Sequence, residues 1–337
     1  MLNERRRLVL QALVEEYIHS GQPVGSRSLV ERHHIDCSPA TVRSELAALE
    51  ETGYVFQPHI SSGRIPTDLG YREFVDEIMN TVGALPELDA EEMDRRYREV
   101  AGEIDDLMRQ TSSMLAHLTH YVAVVLAPTV SLSRTRRLDL VSMGPRRALV
   151  VLITETGQVV NRHVELAEDV TPERLADVER ALNSSLEGKR ASEVRPLEDA
   201  LDSERPGDGV VKQVMGELIS CLEEADRDRL YHVGTPELLA LPEFAEAARI
   251  APLLNLLEDG LAMLDTLSGT LSAGGLTVRI GSENERDELG AMSLVATRYG
   301  TTSADGVVGV IGPTRMDYQR TIAAVRAAAN GLSDALG

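Results

Sequence analysis

Residue types capable of covalent chemistry are present in this chain, but they are not grouped for it. Gly188-Lys189 lacks a glycine five positions earlier, so no phosphate-cradling loop exists, and Gly-x-Ser-x-Gly, His-Glu-x-x-His and Cys-x-x-Cys are missing. His117 and His120 sit three apart with no third ligand, and His33-His34, with Cys37 and His59 nearest, have no metal-ligand spacing. Gly306, Gly309 and Gly312 accompany an apolar run rather than opening a helix, and read as tight turns and close packing. These patterns predict no enzyme, no cofactor and no bound metal. The chemistry that remains is recognition by hydrogen bonds and charge.

That chemistry concentrates in residues 38–66. Ser38 stands where an N-cap hydroxyl accepts from a free backbone N–H, and Pro39 follows at the first helical position, where its missing N–H costs nothing. Val42, Leu46 and Leu49 share one face, and Gly53 supplies the left-handed turn that stops the helix. The opposite face carries Ala40, Thr41, Arg43, Ser44 and Ala47. Small groups, hydroxyls and one guanidinium fork suit a helix lying in a DNA major groove. Tyr54-Val55-Phe56 then reads as a strand, residues 58–63 as a turn and loop, and Arg64-Ile65 as the return strand. His59, Ser61, Ser62 and Arg64 thus lie on or beside a hairpin tip suited to phosphate contact, and Ser26 and Arg27 join them from a preceding short helix.

The elements around this stretch complete a winged helix-turn-helix. Residues 3–19 form a first helix with Leu10, Leu13, Val14 and Tyr17 inward, and Gly21-Gln22-Pro23 ends it. Ser26 is the expected cap of a helix from Arg27 to His33, and His33 to Cys37 make the turn before the reading helix. Thr67 caps a further helix with Tyr71, Phe74, Val75 and Ile78 inward.

Charge restricts how DNA could be bound. The formal net charge is −20, and Glu165 to Leu230 alone hold 18 acidic and nine basic residues. Any phosphate contact must come from a local patch, here Arg5, Arg6, Arg7, Arg27, Arg43 and Arg64. At 337 residues the chain should hold two or three domains with aliphatic cores, since aromatics make up 3% and Trp is absent. Cys37 and Cys221 give no disulfide framework, and no apolar run is long enough for a transmembrane helix or a signal peptide, so a cytoplasmic protein with no membrane partner is expected.

Gly83 to Glu87 reads as a linker. Met93, Tyr97, Val100, Ile104, Leu107, Thr111, Met114 and Leu118 follow as a heptad-like seam, expected to pack on the chain's own sheet rather than in a coiled coil. Strands are expected at 121–126, 138–143, 148–153 and 159–164, the last two joined by a hairpin at Thr156-Gly157. Residues 171–228 read as helical and acidic, 230–233 as a short strand and 247–270 as helical. Strands at 276–280, 292–299 and 307–311 and a helix at 317–335 close the chain. Strands near 121–143 are expected to meet those near 276–311, which makes the middle an insertion into an α+β sheet domain. In the run from Gly312 to Tyr318, Asp317 is expected to cap the last helix, and Arg315 and Tyr318 to pair across domains.

At this point the chain resembles the HrcA family of bacterial heat-inducible transcription repressors. The residues that carry the resemblance are Val24-Gly25-Ser26, Ser38-Pro39-Ala40-Thr41-Val42-Arg43, Gln57-Pro58-His59, Ser62-Gly63-Arg64-Ile65-Pro66-Thr67, Gly70-Tyr71, Gly234-Thr235-Pro236, Ile280-Gly281-Ser282-Glu283-Asn284, Ser293-Leu294-Val295 and the run from Gly309 to Tyr318. They occur in the family's order over almost the whole chain.

The resemblance implies an α+β multidomain protein: a winged helix-turn-helix at 1–82, a linker helix and first part of a GAF-like domain at 83–145, an inserted α+β dimerisation domain at 146–250, and the rest of the GAF-like domain at 251–337. It implies a homodimer that represses chaperone operons of the groE and dnaK type by binding double-stranded DNA at the inverted repeat called CIRCE, supported by the GroE chaperonin and released on heat stress. The alternative expectation is a transcription regulator gated by a small molecule in the GAF-like domain.

Overall fold

The structure is a computed structural model that describes residues 2–60, 62–80, 104–128, 134–155, 159–186, 189, 208–226, 229–244, 247–259, 262–263, 265–267, 269, 275–301 and 304–336. The chain is mixed α+β, with a helical N-terminus followed by two larger sheets.

Helix α1 (Glu4–Ser20) is capped by the Asn3 side chain, which accepts from Arg6 N at 2.8 Å, and it ends at Gly21 with φ 63°. Helix α2 (Ser26–His33) follows. Gly25, not Ser26, is its N-cap, and no side chain bonds there; Ser26 lies inside the first turn, so the expected cap is corrected. Helix α3 (Pro39–Glu51) starts as expected, with Ser38 Oγ accepting from Thr41 N at 3.2 Å, and it buries Val42, Leu46 and Leu49. Strands β1 (Val55–Phe56) and β2 (Ile65–Pro66) pair antiparallel. Val24 extends this hairpin by pairing with Arg64, each backbone N–H reaching the other's carbonyl at 2.9 Å. A side chain at Gly63 would collide with this contact, because a Cβ there would lie 2.4 Å from the Val24 carbonyl. Thr67 Oγ1 accepts from Gly70 N at the start of α4 (Asp68–Asn80), whose Tyr71, Phe74 and Val75 are buried.

The larger sheet has five strands in the order β7 (Leu230–Val233), β3 (Val122–Leu126), β10 (Ala304–Pro313), β9 (Met292–Thr301), β8 (Thr277–Ile280), all antiparallel. Both of its faces are covered, which explains why β3 is a continuous apolar run rather than an alternating one. Helices α5 (Ile104–Thr119) and α10 (Tyr318–Leu336) cover the first face, around Met108, Leu115, Ile322 and Val325. The short helix α8 (Thr235–Leu239) and α9 (Ala247–Glu258) cover the second, around Leu238, Leu253 and Leu256. Helix α5 is the described part of the expected heptad-like helix, and it packs on its own sheet; Met93, Tyr97, Val100 and the linker at 83–87 lie outside the described residues.

The smaller sheet holds β4 (Thr135–Ser142), β5 (Arg147–Thr154) and β6 (Val159–Glu165) in sequence order, with α6 (Pro172–Leu186) and α7 (Gly209–Asp226) on one face. Two expectations change here. The strand near 138–143 does not join the strands near 276–311; it pairs with β5, so the expected division at 145/146 falls in the turn between two partnered strands. Residues 230–233, counted with the insert, pair with β3 in the larger sheet. The insert therefore leaves after β3 and returns before β7, where Ala127 N donates to the Arg229 carbonyl at 2.9 Å. The Thr156-Gly157 turn lies outside the described residues, but Ile153 faces Val159 across it.

Candidate nucleic-acid interface

The interface builds up from α3. Because Val42, Leu46 and Leu49 anchor one side, the other side must face solvent, and Ser38, Ala40, Arg43 and Ser44 are exposed. Thr41 is half-buried, and its hydroxyl sits 2.9 Å from Ser38 Oγ. The Ser38 hydroxyl thus serves the helix end, while Ser44 and Arg43 stand clear of it. Arg27 is exposed near the start of α2 and Ser26 beside it is half-buried.

The hairpin loop is stiffened by its own hydrogen bonds. Gln57 Nε2 donates to the carbonyls of Ile60 (3.0 Å) and Ser62 (2.8 Å). Ser62 Oγ accepts from His59 N at 3.0 Å and donates to the His59 carbonyl at 2.7 Å, so this hydroxyl shapes the turn. His59 is exposed, and Ser61 lies outside the described residues. Ile60 is fully exposed at the tip. Neither Gln57 as a brace nor Ile60 as an apolar tip was singled out from sequence; the signal for Ile60 was a lone aliphatic residue in an otherwise polar loop.

The arginines of the expected patch do not act alike. Arg6 is bound to Glu45 at 2.9 Å, with Arg5 3.9 Å from the same carboxylate, and Arg7 lies 3.6 Å from Glu73. Arg64 donates to Glu50 from Nε and Nη2. Among the described residues, Arg27 and Arg43 have no acidic partner. A paired arginine has much of its field cancelled, so these two carry most of the positive potential on this face. His33 lies 3.3 Å from the Glu16 carboxylate, which also takes Arg32; this ties α2 to α1.

The family description "HrcA protein C terminal domain" matches residues 105–322. The heat-inducible transcription repressor HrcA of Frankia casuarinae is 41% identical over 100% of this chain and 99% of its own length. The protein of the same name from Streptomyces avermitilis is 41% identical over 98% of this chain and 97% of its own. A crystal structure of a hypothetical protein is 25% identical, covers 100% of this chain and 99% of its own, and superposes with a TM-score of 0.60.

Proposed function

The chain belongs to the HrcA family of heat-inducible transcription repressors, and from that premise we propose that it represses chaperone operons as a homodimer on the CIRCE inverted repeat, with its activity maintained by the GroE chaperonin. The observation that carries the DNA reading is the exposed face of α3 beside a braced hairpin, with no acidic partner for Arg43 or Arg27 among the described residues. In this reading residues 1–82 are a winged helix-turn-helix. Arg43 reads a base edge, Ser38, Ala40, Thr41 and Ser44 allow close approach, and Ser26, Arg27, His59, Ser61, Ser62 and Arg64 address the phosphates. The exposed Ile60 lies against sugar edges in the neighbouring groove.

The larger sheet, with helices on both faces, is in this reading the GAF-like domain. The smaller sheet and its helices are the dimerising insert, beginning before Thr135 and ending near Asp226. The face of this sheet that no described helix covers supports that role. Leu149, Val151 and Ile153 of the central strand are only half-buried there, and Val141 (50% exposed), Met143 (49%) and Val159 (57%) surround them. An apolar sheet face rimmed by Arg137, Asp139, Asn161 and His163 suits a second copy of itself about a two-fold axis. Two reading heads then add their free energies on an inverted repeat.

The chaperonin reading has a physical support. Strand β3 must find β10 from Val122 to Ile311, with the whole insert between them. Such long-range pairing is slow and leaves aliphatic edges open meanwhile. A repressor folded this way depends on free chaperonin, and heat diverts chaperonin to other clients.

Footprinting the protein on its own upstream DNA, with and without GroE and ATP, tests all three parts. A symmetric protected repeat whose occupancy rises with chaperonin supports them. Full binding by freshly refolded protein, unchanged by chaperonin, removes the switch; protection without two-fold symmetry removes the dimer reading.

A further inference from the structure

Helix α4 is held against the larger sheet by a set of polar contacts unrelated to DNA. Asp68 Oδ2 accepts from Ser282 N at 2.9 Å and from Ser282 Oγ at 2.8 Å. Gly281 makes this approach possible: its φ is 50°, and a Cβ there would lie 2.4 Å from the same oxygen. One turn further along α4, Arg72 Nε donates to Glu283 Oε1 at 2.7 Å, while its Nη2 donates to the Val278 carbonyl at 2.7 Å and to Glu283 Oε2. Glu283 Oε2 also accepts from Ile280 N at 2.9 Å, which fixes the carboxylate that fixes the arginine.

A second set holds α1. Arg315 Nη1 donates to the Ile18 carbonyl at 3.1 Å in the last turn of α1, and its guanidinium is also paired with Glu243. Between the two sets the Tyr71 and Tyr318 rings meet, centroids 6.0 Å apart, both side chains buried. The apolar core is continuous here. One cluster runs from Leu13 and Leu46 through Tyr71 and Phe74 to Tyr318, Ile322 and Met108. The helices that carry the reading face are therefore packed into the sheet domain rather than tethered beside it.

We infer that Arg72, with Asp68 and Arg315, is a positioning residue for operator binding: this seam sets the angle of each reading helix relative to the dimer, and so the half-site spacing that the dimer can span. The inference rests on the DNA reading and two-fold dimer proposed above. Its physical basis is the geometry of the duplex. One added base pair between half-sites moves the second by about 3.4 Å along the axis and turns it by about 34°. A rigid seam cannot follow that change; a loosened one can, at the expense of the effective concentration that links the two heads.

The experiment uses the full-length protein and three DNA sets: a single half-site, the native inverted repeat, and repeats with the spacer changed by one to four base pairs. Wild type should bind the native repeat far more tightly than any altered one. Arg72→Ala should bind the single half-site within about two-fold of wild type, lose about ten-fold or more on the native repeat, and show a flattened dependence on spacer length. Arg72→Glu with Glu283→Arg should restore part of the spacer preference that Arg72→Glu alone loses, which separates a positioning role from a general loss of folding.

If Arg72→Ala keeps the wild-type spacer profile, the inference is overturned. It is also overturned if Arg72→Ala loses half-site and repeat binding in equal measure and the charge swap restores neither. If wild type itself prefers no spacing while still binding half-sites, the two-fold reading fails as well; if it binds neither the half-site nor any repeat, the DNA reading fails first.

Discussion

Glu50 Oε2 accepts from both Nε (3.2 Å) and Nη2 (2.8 Å) of Arg64, so α3 and the residue that precedes β2 are joined by one carboxylate oxygen. The Arg64 side chain is 17% exposed. Its positive charge is thus partly spent before DNA arrives. Arg64→Ala should weaken all DNA sequences alike and reduce the salt slope by about 0.9, the value for one phosphate contact on duplex DNA. Glu50→Gln should do the reverse and tighten non-specific binding. Titrations at several salt concentrations against operator and random duplex check both; a change confined to the operator would mean that Arg64 reads bases.

Arg43 projects from the same helix with no acidic partner among the described residues. Arg43→Ala should cost about 1–3 kcal/mol on the operator, relax specificity at one base position and leave thermal stability unchanged. Competition binding with single-base operator variants, beside a melting curve, tests this. Normal operator binding by the folded variant would move base reading elsewhere.

Val151 lies at the centre of the face of the smaller sheet that no described helix covers, opposite Asp139 on one side and Asn161 on the other. Val151→Arg should leave the fold intact, since the side chain is already half in solvent, but place two like charges face to face across the proposed two-fold axis. Light scattering should report a monomer, and operator affinity should fall by orders of magnitude while half-site affinity holds. A dimer that survives the change places the interface on another face.

Burial alone would raise the Glu283 carboxyl, but hydrogen bonds from Arg72 and Ile280 N outweigh it and hold it below the ordinary carboxylate range. A folded-state pKa below the unfolded one means that the pair stabilises the protein fully above the unfolded value, near 4.3, and that the contribution is lost as pH falls through the folded value. Wild type should therefore lose more stability than Glu283→Gln on going from neutral pH to below about pH 4. Melting temperatures of the two proteins across that window decide it; parallel curves would show that the seam carries no pH-dependent stability.

Gly63 leaves no space for a side chain against the Val24 backbone. Gly63→Ala should pull the hairpin away from the segment between α1 and α2 and lower operator and random-DNA affinity together, with the oligomeric state unchanged. Gel shift and light scattering on one preparation test it, and unchanged affinity would mean that the hairpin adds nothing to binding.

Helix α3 was legible because its signals are local. Ser38, Pro39, the spacing of Val42, Leu46 and Leu49, and Gly53 all act within one element. The placement of β4 was not legible as read, because sheet membership is decided by a partner far along the chain. A clue was nonetheless present. Strand β3 is apolar at every position and β4 alternates, which separates a strand covered on both faces from one covered on a single face. The Arg64–Glu50 pair had no sequence signature at all: the two are fourteen residues apart across a turn and a hairpin, and only the fold brings them together. The same holds for Arg72 and Glu283, 211 residues apart.

The closure between Ala127 and Arg229 has a consequence for how such a protein could be built. Strands β3 and β7 are antiparallel neighbours whose ends meet in a backbone hydrogen bond. They form a hairpin, and residues 128–228 stand where a turn would be. A two-residue Asn-Gly turn closes an antiparallel pair of this kind without strain. Among the described residues, no strand between β3 and β7 pairs with the larger sheet, so the pairing of its five strands does not draw on the insert. Replaced by a turn, it would leave a shorter chain, and reading heads made in this way could be joined end to end by a linker of chosen length. The distance between them would then be set by the engineer and no longer by the proposed two-fold axis.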